Sequence, residues 1–140
     1  MVELPRYKVF VAKFSNETHR DLVTRMISRA NGQIAATKDY AGLMEKVETH
    51  RDDLAGVIYE LRNEGEVIPG EESVSNPETV VASLRRFVGE SLPIVATYYP
   101  TEQEGLEQLF SDAGADVVLA HPFTRTEFYG AIDEALKKQD

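Results

Sequence analysis

The side chains with chemistry to offer gather at the ends of short apolar runs. Lys13 closes "VFVAK", Glu60 closes "AGVIYE", Thr97 and Tyr98 stand near the end of "PIVATYY", and His121 follows "DVVLA". A carboxylate and an imidazole, Glu60 and His121, are the parts of an acid–base pair. No nucleophile accompanies them, so hydrolytic chemistry is not expected and no residue is assigned a catalytic role. Pro122 follows His121 directly. Proline donates no ladder hydrogen bond and restricts the residue before it to extended backbone, which fixes His121 at the end of its strand. His19 and His50 have no metal-ligand spacing around them and are expected at the surface.

The positioning elements follow from the hydrophobic period. "YKVFVA" (7–12), "QIAAT" (33–37), "AGVIYE" (55–60), "PIVATYY" (93–99) and "DVVLA" (116–120) read as five strands. Between them the apolar residues recur at helical spacing: Leu22, Val23, Met26, Ile27 and Ala30, with Gly32 as a stop; Leu43, Met44 and Val47 after a capping Asp39; Val80, Val81, Leu84, Phe87 and Val88 after Asn76 and Pro77. Thr101 with Glu104 and Thr124 with Glu127 have the spacing of capping boxes, opening helices through Leu106, Leu109 and Phe110 and through Phe128, Ile132 and Leu136.

Strict strand–helix alternation predicts an α/β fold, a parallel sheet with helices on both faces and right-handed crossovers. The near-continuous apolar strands agree with burial on both sides. Residues 1–140 are expected to form one domain. In the sheet order 2-1-3-4-5 the C-terminal ends of strands one, three, four and five surround one crevice. Ala12 and Lys13, Glu60, Thr97 and Tyr98, and His121 stand there. Residues 61–75, "LRNEGEVIPGEESVS", form a long connection whose plain reading is a solvated acidic loop.

Composition removes several classes. Hydrophobic residues make up 42% and charged residues 28%, as in ordinary globular domains. The net charge of −9, from 24 acidic and 15 basic residues, argues against nucleic acid or an anionic membrane as partner. No apolar run reaches transmembrane length, and "MVELPRYK" lacks a signal peptide's apolar stretch. The absence of cysteine removes disulfides and thiol chemistry and fits a reducing compartment, so a cytoplasmic location is expected.

Five stretches, in order, resemble the receiver domain of bacterial response regulators: "VFVAKFSNE", "LMEKVETHRDDLAGVIYE", "LPIVAT", "LEQLFSDAGADVVL" and "DVVLAHPFTRTEF". The resemblance covers nearly the whole chain. It implies a flavodoxin-like (βα)5 sandwich, a phospho-accepting aspartate where Glu60 stands, a magnesium-binding acid pair where Ala12 and Lys13 stand, and a lysine where His121 stands. The hydroxyl position falls on Tyr98 or its neighbour Thr97, and the switch aromatic is replaced by Val118. A cis His121–Pro122 bond is also implied.

These departures describe a degenerate pseudo-receiver. Ala12 offers magnesium no oxygen, Lys13 repels it, and Glu60 sets its carboxylate one methylene further out. No metal and no cofactor are expected, and Lys13 and Glu60 are predicted to form an internal ion pair across adjacent strands. The function implied is a phosphorylation-independent interaction module in signal transduction. Its protein partner, or a second copy, would dock on the face formed by the fourth helix, fifth strand and fifth helix, with Tyr99, Val118 and Tyr129 presented there. The alternatives are a cofactor or nucleotide binder, with Ser15 and Asn16 capping a helix that accepts an anion, and an active receiver of unusual chemistry.

Overall fold

A computed structural model describes residues 8–138 of the chain. Tyr7, which the sequence places in the first strand, and residues 139–140 lie outside the described residues. The elements alternate as expected: β1 (Val9–Lys13), α1 (Glu17–Arg29), β2 (Gln33–Thr37), α2 (Tyr40–Thr49), a 3-10 turn (Arg51–Asp53), β3 (Leu54–Glu60), α3 (Pro77–Val88), β4 (Ile94–Tyr98), α4 (Leu106–Ala113), β5 (Val117–Ala120) and α5 (Arg125–Lys138). The pairings within the five-stranded sheet are all parallel and the order is β2-β1-β3-β4-β5.

Most of the sequence's start signals act as expected. Asp39 accepts from the amide of Gly42 and Asn76 from that of Thr79, with Pro77 in the first turn of α3. Thr124 and Glu127 form a reciprocal capping box, each side chain accepting the other's amide. The box predicted from Thr101 and Glu104 does not form. The Thr101 hydroxyl accepts only from the Gln103 amide, and α4 begins later, after Gly105 at φ 78°.

Successive strand residues face opposite sides, so each strand feeds two cores. Phe10, Ala12, Ile58 and Val95 pack with α1 and α5 through Val23, Ile27, Phe128 and Ile132. Val11, Val57, Tyr59, Ile94 and Ala96 pack with α2, α3 and α4 through Leu43, Val47, Leu84 and Phe110. Arg85 ties α3 to the entrances of β4 and β5. It pairs with Asp116 at 2.6 Å and donates to the carbonyls of Gly89, Leu92 and Gly114. Asp116 in turn accepts from the Ile94 amide at 2.8 Å.

Candidate functional site

The two faces of the sheet decide which strand-end residues meet. In the parallel register Lys13 lies beside Tyr59, Glu60 beside Thr97, Thr97 beside Leu119, and Tyr98 beside Ala120. Glu60, Thr97 and His121 therefore share the side covered by α1 and α5. Lys13, Tyr59, Tyr98 and Val118 share the other. Alternation also settles the open choice of hydroxyl: Thr97 Oγ1 is 2.9 Å from His121 Nε2, while Tyr98 turns away and meets Phe110 of α4 edge-on at 5.5 Å.

Glu60 is fully buried and both its oxygens are engaged. Oε1 accepts from the backbone amides of Ser15 at 2.9 Å and Asn16 at 3.1 Å; Oε2 lies 2.7 Å from His19 Nδ1 and 3.7 Å from His121 Nε2. Asn16 makes this possible, because its side chain caps α1 by accepting from the amides of Thr18 and His19. The cap sets His19 in the first helical turn, directly over the crevice. An anion is favoured beside a helix start, and the anion held there by the Ser15 and Asn16 amides is the protein's own carboxylate. The surface position predicted for His19 is thus corrected: it is half-buried and part of the site. The spacing of three from a recognisable cap residue was the signal for it.

His121 stacks on His19 and on Tyr99, each with ring centroids 4.4 Å apart, and the Tyr99 hydroxyl lies 2.8 Å from His19 Nδ1. Burial, reinforced by the neighbouring His19, lowers the His121 pKa to about 4 against the opposing pull of Glu60. Burial and the Glu60 charge push the Tyr99 hydroxyl up to about 12. The His121–Pro122 bond is cis, as the resemblance implies.

The predicted Lys13–Glu60 side-chain pair does not form, because the two side chains leave the sheet on opposite faces. Lys13 is wholly buried. Its ammonium pairs with Glu66, donates to the Glu60 backbone carbonyl at 2.9 Å and to Ser15 Oγ at 2.8 Å, and lies 4.9 Å over the Tyr59 ring. Burial lowers its pKa despite the nearby carboxylates. The Tyr59 hydroxyl donates to the same Glu66, and burial drives its pKa far upward.

Glu66 belongs to the 61–75 segment, so that segment is more than a solvated loop. Most of it is exposed, but a two-residue bridge between Glu66 and Ser75 folds it back over the sheet. Gly65 makes the turn at φ 81°, and a Cβ there would sit 2.0 Å from the Ser75 carbonyl oxygen. No periodicity marks Glu66 in the sequence.

Of the residues predicted for the interaction surface, only Val118 lies on the α4–β5–α5 side, half-buried against the α4 core. Tyr99 is part of the crevice. Tyr129 is buried and donates to the Met26 carbonyl of α1 at 2.7 Å, because its position on α5 faces α1. Ala12 is buried in the core and offers no ligand atom. Among the described residues, His19, Glu60 and His121 form the one group of three metal-capable side chains, their ligand atoms within 4.8 Å of one another.

Five parallel strands in this order, with polar residues at the C-terminal ends of β1, β3, β4 and β5, give the fold of response regulator receiver domains. No family model and no curated protein sequence matches the chain. Solved structures do. A response regulator receiver domain protein from Clostridium thermocellum superposes with TM-score 0.74 at 10% identity, over 94% of this chain and 96% of that one. The Vibrio cholerae chemotaxis protein CheY4 gives 0.69 at 15% identity, over 92% and 98%. A putative pilus assembly-related protein from Burkholderia pseudomallei gives 0.70 at 11% identity, over 100% and 97%. A putative response regulator/GGDEF protein gives 0.76 at 16% identity, and there the chain matches 51% of the longer partner. Among the described residues no helix is long and apolar enough to cross a membrane.

Proposed function

We propose that the chain is a receiver-fold signalling module of the cytoplasm that works without aspartyl phosphorylation and without catalysis of its own, by docking a protein partner or a second copy. The engagement of Glu60 carries this reading. In-line attack on a phosphoryl donor needs a carboxylate oxygen that is free and oriented. Both oxygens of Glu60 are held by protein donors, and the residue is 0% exposed. Lys13 and Ala12 add to it: a buried ammonium and a methyl group stand where the receiver resemblance implies magnesium ligands.

The α4–β5–α5 side is the docking face that best fits the reading. A surface cleft there is lined by Tyr98, Leu106 and Val118, with Glu134 and Lys138 among the residues around it. The test is an amide NMR titration with Mg²⁺ followed by beryllofluoride, which imitates an aspartyl phosphate. The expected spectrum is unchanged at Lys13, Glu60, Thr97 and His121 up to millimolar ligand. Localised saturable shifts at these four residues would overturn the reading.

A further inference from the structure

We infer that His19, Glu60 and His121 form a binding site for a divalent transition ion of the zinc type. One nitrogen from each histidine and a Glu60 oxygen already lie within 4.8 Å of one another. Two imidazoles and one carboxylate with a fourth position left to water are a known zinc donor set, with metal–nitrogen bonds near 2.0–2.1 Å and tetrahedral neighbours roughly 3.3 Å apart. The separations of 2.7 Å and 3.7 Å from Glu60 Oε2 to the two rings bracket that spacing.

Three further observations point to a cation. The Glu60 carboxylate is fully buried, and its Oε1 is anchored by two backbone amides, so Oε2 is held in place facing the two rings. His19 Nδ1 lies within hydrogen-bonding distance of both Glu60 Oε2 and the Tyr99 hydroxyl, yet one ring nitrogen has one proton or one lone pair and serves only one of them. A metal ion among the rings would replace the proton shared by His19 Nδ1 and Glu60 Oε2 and take the His121 Nε2 lone pair that now faces Thr97 Oγ1 at 2.9 Å. Finally, the side that remains open is His19, whose side chain is 25% exposed at the crevice mouth; it supplies both an entry path and room to turn out of its present stack on His121.

The donor set also selects the ion. Imidazole nitrogen suits zinc, copper and nickel, whereas Mg²⁺ takes oxygen ligands in octahedral geometry. The charge of Lys13 is balanced, since its ammonium is turned to the other face of the sheet and paired with Glu66. The inference deepens the proposed function and rests on it: the crevice that no longer takes a phosphoryl group takes a metal ion as its input, on different ligands.

The experiment is calorimetric titration of chelator-treated protein with Zn²⁺, repeated on His19→Gln, His121→Gln and the control His50→Gln, with circular dichroism melts to establish folding. Wild type and His50→Gln are expected to bind one equivalent with equal affinity. Loss of one ligand is expected to weaken binding by more than the roughly 10–100-fold that follows removal of an outer-shell partner. His19 is the more exposed of the two histidine ligands, with a side chain 25% exposed, so its variant is expected to keep the fold, which the melts check. Side-chain nitrogen NMR of wild type adds a readout that needs no variant: Zn²⁺ shifts the ring nitrogens of His19 and His121 and leaves those of His50. Absence of one-equivalent binding in wild type, equal affinity in His19→Gln, or shifts confined to His50 each overturn the inference. A response to Mg²⁺ followed by beryllofluoride in the zinc-free protein would remove the phosphorylation-independent reading instead, so the two failures are distinguishable.

Discussion

The buried ammonium of Lys13, at the end of β1, is paired with Glu66 from the loop after β3 and not with Glu60, one strand away. A segment that reads as solvated therefore supplies the counter-charge of the most deeply buried cation in the crevice. The same carboxylate accepts from Tyr59, so removing it strands two buried polar groups at once.

Glu66→Ala is accordingly expected to lower stability by about 3–5 kcal/mol, the cost of an uncompensated buried charge. The double variant Lys13→Met/Glu66→Leu is expected to recover most of that loss, because a well-packed apolar pair is often neutral against an ion pair. Urea denaturation of wild type, Glu66→Ala and the double variant measures it. A loss below about 1 kcal/mol in Glu66→Ala, the range of an exposed pair, would show that the loop does not close over Lys13 in solution.

Gly65 sets the position of Glu66. At φ 81° and with the Ser75 carbonyl where a Cβ would go, Gly65→Ala must open the Glu66–Ser75 bridge. The amides of Glu66 and Ser75, which donate across that bridge, are expected to lose hydrogen-exchange protection. Gly70 also has positive φ, at 94°, but nothing lies within 4 Å of its missing Cβ. Gly70→Ala is expected to cost only the roughly 1–2 kcal/mol of a left-handed residue, with the bridge amides still protected. Equal exchange behaviour in the two variants would dissociate the turn from the site.

His121 gives the site a pH dependence of definite sign. Its folded-state pKa of about 4 lies below the ordinary 6.5, with burial the main cause and His19 and Glu60 facing it. Between those two values the unfolded chain binds a proton that the folded one refuses. The contribution is present in full above pH 6.5 and is lost as the pH falls through the window. It amounts to a loss on the order of 3 kcal/mol by about pH 4. His121→Gln keeps a polar partner for Thr97 and does not titrate, so the stability difference between wild type and variant should narrow on acidification. Urea midpoints at neutral and acid pH that move in parallel for both proteins would contradict the burial of His121.

Arg85 is expected to be a structural keystone with no role in the crevice. It is the donor that holds the carbonyls of Gly89, Leu92 and Gly114 and the Asp116 carboxylate at the entrances of β4 and β5. Arg85→Met should cost about 2–4 kcal/mol, since the partly buried Asp116 loses its counter-charge. Amide shifts in that variant should stay near residues 89–94 and 114–116, away from Glu60 and His121. Shifts that reach the crevice would tie the two ends of the sheet together.

The sequence by itself determined the alternation of strands and helices, the capping residues Asp39, Asn76 and Thr124, and the strand ends that carry the polar residues. These are local or periodic properties: the apolar period changes from strand to helix, and a cap needs only its own first turn. The box from Thr101 and Glu104 shows the limit of that locality, since Gly105 starts α4 instead.

Which polar groups meet inside the crevice was decided by the tertiary structure. The sequence leaves Thr97 and Tyr98 open as the hydroxyl position, and only the register between β3, β4 and β5 puts Thr97 with Glu60 and His121. The same pleat separates Lys13 from Glu60, two residues that adjacency in the sheet alone would pair. His19 and Glu66 reach the site from a helix start and a loop, where no period records direction, and Tyr129 turns inward because α5 packs on α1. A strand end fixes where a side chain stands. Which partner it finds depends on the face it leaves by, and on chain that folds back from elsewhere.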